Sequence, residues 1–402
     1  MRILLALLLI ALAPSAFSND AESARRTIDA LEQLLKERPS DASLWFYLAR
    51  TQGEAGDKRA AIAALEKVAE LGEGFLPPRD GFERLWPDAD FQRLRASLES
   101  RLPRLDYAPN VVEMEDRTLI PEGIAYDIPS RSLFMGSIAH RKVLRISEAG
   151  AVSEFASGAD MDAVLGIAVD APRRILYVVS TSALTDEGQK KRRNAVLAFD
   201  IDTRRFIQRY EVPRATQLND VAVAPGGRVF TSDSGNGAVY EIAVKGPGPT
   251  RELVAPGQLR GTNGLAPSPD GKRLYLAHAS GLALVEVATG AVKRVANDTR
   301  ENVAGIDGLY EWQGQLIGVQ NVTTPGRVVL VTLSRDGESV LKVQALLSHH
   351  HNKLDEPTTG AITDRGFYLL AATGVAHFNR QGQIEHPDTL PHPTVLRIPL
   401  PR

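Results

Sequence analysis

The 402-residue chain contains no cysteine. That absence excludes disulfides, thiol nucleophiles and thiolate metal sites. It also excludes a lipoprotein anchor, which needs a cysteine at its cleavage point. An excess of one charge is missing too: 47 basic against 49 acidic residues leave a formal net charge of −2. Such balance supplies no field that would gather nucleic acid or an anionic membrane surface. The basic run KKRRN at 190–194 reads as a solvated loop. The GxSxG nucleophile motif is absent and no Ser-His-Asp set emerges. The glycines of GNG and GPGP belong to loops and make no phosphate cradle.

Long apolar runs are equally scarce. The start, MRILLALLLIALAPSAFSND, has a basic Arg2, an apolar stretch over 3–13 and a small-x-small site at Ala16-Phe17-Ser18. This pattern predicts a secretory leader over 1–18. It is well short of the roughly 20 residues a membrane span needs, and no later segment reaches that length. The expected protein is exported, periplasmic or secreted, with no span left after leader cleavage.

What is present divides in two. Residues 19–102 carry helical periodicity: Ile28, Leu31, Leu34 and Leu35 recur at spacings of three and four. The stretch SLWFYLARTQGEAGDKRAAIAALEKVAELG fits a tetratricopeptide repeat, with Trp45, Leu48, Ala49, Ala61 and Leu65 at the signature offsets and the turn at Gly56-Asp57. One good repeat, half of another before it and a degenerate helical pair after it fall short of the about three units needed to stand alone. This module is therefore expected to pack on its neighbour, as a peptide- or protein-binding arm or as a structural cap.

After Pro103 the period changes to short β-rich runs punctuated by Gly, Pro, Asp and Asn. Six similar units begin at Pro121, Val164, Leu218, Thr262, Ile306 and Thr358, which are 43, 54, 44, 44 and 52 residues apart. That spacing leaves room for about four strands each and predicts a mainly β fold, a six-bladed β-propeller over 103–402, behind a small all-α module. The flanking segments 110–118 and 394–400 are expected to share a blade and close the ring.

One position precedes the innermost strand of every unit: Glu122, Leu165, Asn219, Asn263, Asp307 and Thr359 in turn. In a propeller these surround the axis. Four of the six carry oxygen donors and two of those are anionic, which suits a hard divalent cation. Ca²⁺ fits best, with Mg²⁺, Mn²⁺ or Zn²⁺ as alternatives. Each Asx residue taken singly also reads as a turn-maker, and Asn263-Gly264 resembles a tight turn. Glu122 has no turn preference, yet occupies the same slot.

At these residues the chain resembles the family of gluconolactonases, senescence marker protein (regucalcin) and luciferin-regenerating enzyme. It is similar more distantly to diisopropyl fluorophosphatase and the paraoxonases. The resemblance spans about 119–400 and rests on PEGIAYD, LNDVAVAPGGRVFTSDSGNG, TNGLAPSPDGKRLYLA and IDGL. It implies a metal held by Glu122, Asn263 and Asp307. Asn219 would touch the metal, its water or the substrate, and Asp307 would serve as base in lactone hydrolysis. Gln217 stands where the sugar-lactone members carry a substrate-contacting Arg, which argues against an aldonolactone. The fused helical module also departs from the better-known members. Metal-free propellers such as strictosidine synthase lack this ligand set.

The expected function is metal-dependent hydrolysis of a lactone or related ester, with Asp307 and Asn219 as catalytic residues. The alternative is a non-catalytic propeller using the metal to bind a ligand or protein; isomerase or lyase chemistry on the same site is a third reading. Gln217, His140 and His278 are candidates for substrate contact or proton transfer, although for His140 and His278 a hydrogen-bonded structural role is the favoured reading. The loop at 180–194 is a candidate lid. The histidines of SHHHNKLDEP invite a zinc reading, but adjacent histidines rarely all face one ion and nothing nearby in sequence completes a set.

Overall fold

A computed structural model describes residues 21–158, 160–244 and 250–401. The leader expected over 1–18 lies outside the described residues. Four helices come first: α1 (Ala21–Glu37), α2 (Ala42–Ala55), α3 (Lys58–Leu71) and α4 (Ala89–Glu99). Their ends follow local chemistry. The Asp41 carboxylate accepts from Ser43 N at 3.1 Å and caps α2, which stops at Gly56 with φ 89°. Asp57 then caps α3 by accepting from Ala60 N at 3.0 Å, so the turn is at Gly56-Asp57. Leu31, Leu35, Leu48, Ala49, Ala61 and Leu65 are buried in one core with Phe46, Phe82 and Phe91.

The rest is a six-bladed β-propeller, one sheet per unit. The first strands are Ile124–Asp127, Ala163–Asp170, Leu218–Ala224, Leu265–Pro267, Ile306–Trp312 and Gly360–Thr363. Each touches the next, and the last touches the first, in a closed cycle around the axis. Strand Asn110–Glu113 pairs antiparallel with Thr394–Ile398, with Glu113 opposite Thr394, so the two ends of the β-rich region complete the sixth blade. This pairing removes the free edge that an open ring would leave.

The glycine after several ring positions has a tertiary cause. Gly264 does not adopt the left-handed backbone of a tight turn, so the turn reading of Asn263-Gly264 is corrected. Gly264 N donates instead to Asp307 O of the next blade at 2.8 Å, and a Cβ there would overlap that blade's backbone. Gly123 and Gly166 meet the backbone of the following blade in the same way. Gly264→Ala is expected to destabilise the protein by about 3 kcal/mol, the upper part of the range for overpacking. An unchanged urea midpoint would show that the blades can separate here at little cost.

The helical module docks on the propeller face that carries the ring. Tyr47 OH donates to Ala279 O at 2.9 Å, and Leu76 N to Thr323 O at 3.0 Å. Beneath them Arg327 is buried; its Nε donates to Gln320 Oε1 at 2.6 Å and its Nη2 to Asn302 O at 3.0 Å. Gly74, at φ 77°, lies against this guanidinium, where a side chain would not fit. The contacts make the module a cap over blades four and five.

Candidate metal centre

Three carboxylates, Glu122, Asp220 and Asp307, gather at the first strands. Glu122 is fully buried, and neither of its carboxylate oxygens has a hydrogen-bond partner among the described residues. Burial first, then Asp307 and Asp220, push its pKa well above the usual carboxylate range. Burial likewise pushes Asp307 up to about 7, against hydrogen bonds from Asn321 and Asn263. Asn321 Nδ2 donates to Asp307 Oδ2 at 2.6 Å and to Pro357 O at 3.0 Å, which fixes the carboxylate. Asp307 Oδ1 is left buried and unpartnered.

Asn219 completes the pattern. Its Nδ2 donates to Ser234 Oγ at 3.1 Å, which leaves Oδ1 buried without a partner. Buried oxygens without donors are rare in folded proteins and call for an ion or water. Glu122, Asn219 and Asp307 together present four of them. Asn263 is buried beside them, and its side chain hydrogen-bonds the Asp307 carboxylate. The donor set is all oxygen, as a hard cation prefers. The ring residues therefore fit a divalent cation. The remaining two ring positions offer nothing to it: Leu165 is apolar, and Thr359 Oγ1 donates to Glu122 O at 2.7 Å.

A third carboxylate escaped the sequence reading. Asp220 follows Asn219 at the position where other units carry Gly123, Gly166, Gly264, Gly308 and Gly360. That departure was the available signal. Its Oδ1 accepts from Val221 N at 2.8 Å and its Oδ2 from Leu265 N at 3.3 Å, so it acts on the site through charge. Burial raises its pKa to about 7. Asn321 and Tyr310 were also missed. Burial and then Asp220 hold the Tyr310 phenol protonated, and its oxygen accepts from Gly360 N at 2.7 Å.

Of the other candidates, His278 lines a cavity that reaches Asn263. His140 hydrogen-bonds with Thr118 Oγ1 at 2.9 Å and lies 3.9 Å from the Asp116 carboxylate. His278 is buried; burial, then the Arg294 charge, push its pKa down to about 3, so it stays neutral and is not a proton donor near neutral pH. Gln217 is half-buried; its backbone N–H donates to Asp233 Oδ1 at 2.9 Å. The 180–194 loop carries α5 (Asp186–Lys191) and is tied to Arg380, whose Nε donates to Asp186 Oδ1 at 2.7 Å. Glu99 of α4 does approach His349 and His350, which corrects the expectation that nothing completes that set. The imidazole centroids are 4.1 Å apart with the rings tilted by 35°, and His349 Nε2 lies 3.0 Å from Glu99 Oε1, a contact that helps seat the helical module.

Residues 120–310 match the family described as SMP-30/Gluconolactonase/LRE-like region. The span includes Glu122, Asn219, Asp220, Asn263 and Asp307 and stops short of Asn321 and the sixth blade. No curated protein matches the chain in sequence. Among solved structures, a gluconolactonase from Xanthomonas campestris is 18% identical with a TM-score of 0.50, over 74% of this chain and 91% of its own. A luciferin-regenerating enzyme is 15% identical with a TM-score of 0.50, over 73% and 96%. A PQQ-bound aldose sugar dehydrogenase from Streptomyces coelicolor is also 15% identical with a TM-score of 0.50, over 74% and 99%. At these identities the likeness establishes the propeller fold alone.

Proposed function

We propose that the chain is a divalent-metal-dependent hydrolase of a lactone or related ester, with Ca²⁺ as the cation held by Glu122, Asn219, Asn263 and Asp307. The observation that carries this reading is the set of four buried, donorless oxygens on Glu122, Asn219 and Asp307. Three carboxylates raise one another's or their own pKa there by burial and proximity, and no Lys or Arg is among the causes. A bound cation would supply positive charge opposite the carbonyl oxygen, where negative charge grows in the transition state.

The chain's own residues do the rest. Asn321 and Asn263 hold the Asp307 carboxylate in one orientation, with Oδ1 buried and without a partner among the described residues. Asp307 Oδ1 takes a proton from the attacking water as the water oxygen bonds to the carbonyl carbon. When the ring C–O bond breaks, the proton passes to the leaving alkoxide and yields a hydroxy acid. Asn219, fixed by Ser234, positions the substrate oxygen. Export through the leader at 1–18 belongs to the same proposal, since the Ca²⁺ sites of extracellular modules work at roughly 10⁻⁴–10⁻³ M.

The test is turnover of lactones, aryl esters and phosphotriesters by protein stripped with a chelator and then reloaded with Ca²⁺ or Mn²⁺. Activity should vanish on stripping and return with metal. Calorimetrically verified Ca²⁺ binding with no turnover on any of the panel would leave a binding protein instead.

A further inference from the structure

A cavity of about 250 Å³ lies between the helical module and the ring face, and it reaches Asn263. One wall is the module: Leu31 and Leu34 of α1 with Leu44 and Tyr47 of α2. The other is the propeller: Leu259, Ala279, Ile306 and Val322. The charged groups on it are all of one sign. Arg38, Arg260 and Arg294 line the cavity, and no Asp or Glu is among the described lining residues.

These arginines differ in how they are satisfied. Arg38 is paired with Asp41 at 3.1 Å. Arg294 donates to Ser280 Oγ at 3.2 Å, and burial followed by the nearby Arg38 charge lowers its pKa. Arg260 is half-buried, its Nη1 is shielded from solvent, and that nitrogen has no hydrogen-bond partner among the described residues. A guanidinium left unpaired beside apolar walls is costly unless an anion meets it. Its backbone is well fixed, with Ala279 N donating to Arg260 O at 2.9 Å, and α2 is pinned to the same segment through Tyr47. Both walls and the cation are thus in place before any ligand arrives.

We infer that this cavity is the substrate's binding pocket and takes an amphipathic anion: an apolar chain between α1, α2 and the propeller, and a carboxylate or similar group on Arg260. The substrate class that follows, resting on the hydrolase reading above, is a lactone or ester with an apolar acyl chain and an anionic end. The helical module is then part of the site rather than an appendage, and the polar sugar lactones are excluded by the leucine wall.

Calorimetric titration of the full chain with decanoate, kept below its micellar concentration, tests this. Decanoate should bind at least about tenfold more tightly than 1-decanol and than butanoate, since a charge-assisted hydrogen bond and apolar burial each contribute at that level. Arg260→Met should lose about tenfold or more, Arg260→Lys should retain most of the affinity, and Leu34→Asp should weaken binding with little effect on the melting temperature. Equal affinity for decanoate and decanol, or an unchanged Arg260→Met, overturns the inference. Asp307→Asn separates the two readings. Decanoate binding that survives in that variant supports the pocket whether or not the protein hydrolyses anything. Turnover of short neutral lactones without decanoate binding overturns the pocket and leaves the hydrolase standing.

Discussion

Asp307→Asn is expected to bind Ca²⁺ at least about 100-fold more weakly than the native chain and to lose lactone turnover. Removing one unit charge close to a cation at a partly screened site costs on the order of 4 kcal/mol. The oxygen that remains can still accept from Asn321, so the fold should survive. Asp220→Asn provides the contrast. Both Asp220 oxygens are occupied by backbone N–H groups, so it contributes charge but no free donor. Its loss of affinity should be smaller, roughly tenfold. Calorimetric titration of the three proteins checks the order. Native-like Ca²⁺ affinity in the Asp307 variant would rule out the ring as the metal centre.

Calcium should also stabilise the protein far more near pH 8 than near pH 5. The sign follows from the carboxylates. Asp307 and Asp220 are raised to about 7 from an unfolded value near 3.8, and Glu122 is raised well above its usual value by burial. Without a cation, the folded state therefore holds more protons than the unfolded state between about pH 4 and 7. Their contribution to stability is complete below about pH 4 and is lost as pH rises through 7. A cation replaces those protons, so its binding strengthens over the same window, and the stabilisation follows RT ln(1 + [L]/Kd). The measurement is the shift in melting temperature on adding millimolar Ca²⁺ to chelator-treated protein at the two pH values. Other titrating groups affect both arms alike, so the increment isolates the centre. An increment independent of pH, or one that persists in Asp307→Asn, would show that calcium acts elsewhere.

The blades were legible because each is a local unit. Sheets of four strands, five in the fifth blade, recur at intervals of about fifty residues, and alternating apolar residues carry that period directly. The register of the units also picked out Glu122, Asn219, Asn263 and Asp307, since equivalent positions in a closed ring must surround its axis. The join between Asn110–Glu113 and Thr394–Ile398 followed from the need to leave no open edge.

Other features depend on chain segments that meet only in the folded molecule. Gly264 looked like half of a turn because a turn is the local reason for glycine; its actual reason is the backbone of the next blade. Asp220 went unnoticed because sequence pattern does not report burial, and it is burial that raises its pKa and adds its charge to the centre. Asn321 lies fourteen residues beyond Asp307, just past the end of the neighbouring strand Gln315–Gln320, and only the pairing of that strand brings its amide to the carboxylate. The cavity over Asn263 is built from helices more than two hundred residues away along the chain. Local periodicity determined the propeller and the identity of its ring. Burial and cross-blade contact, which no local pattern encodes, decided which oxygens lack donors and what covers them.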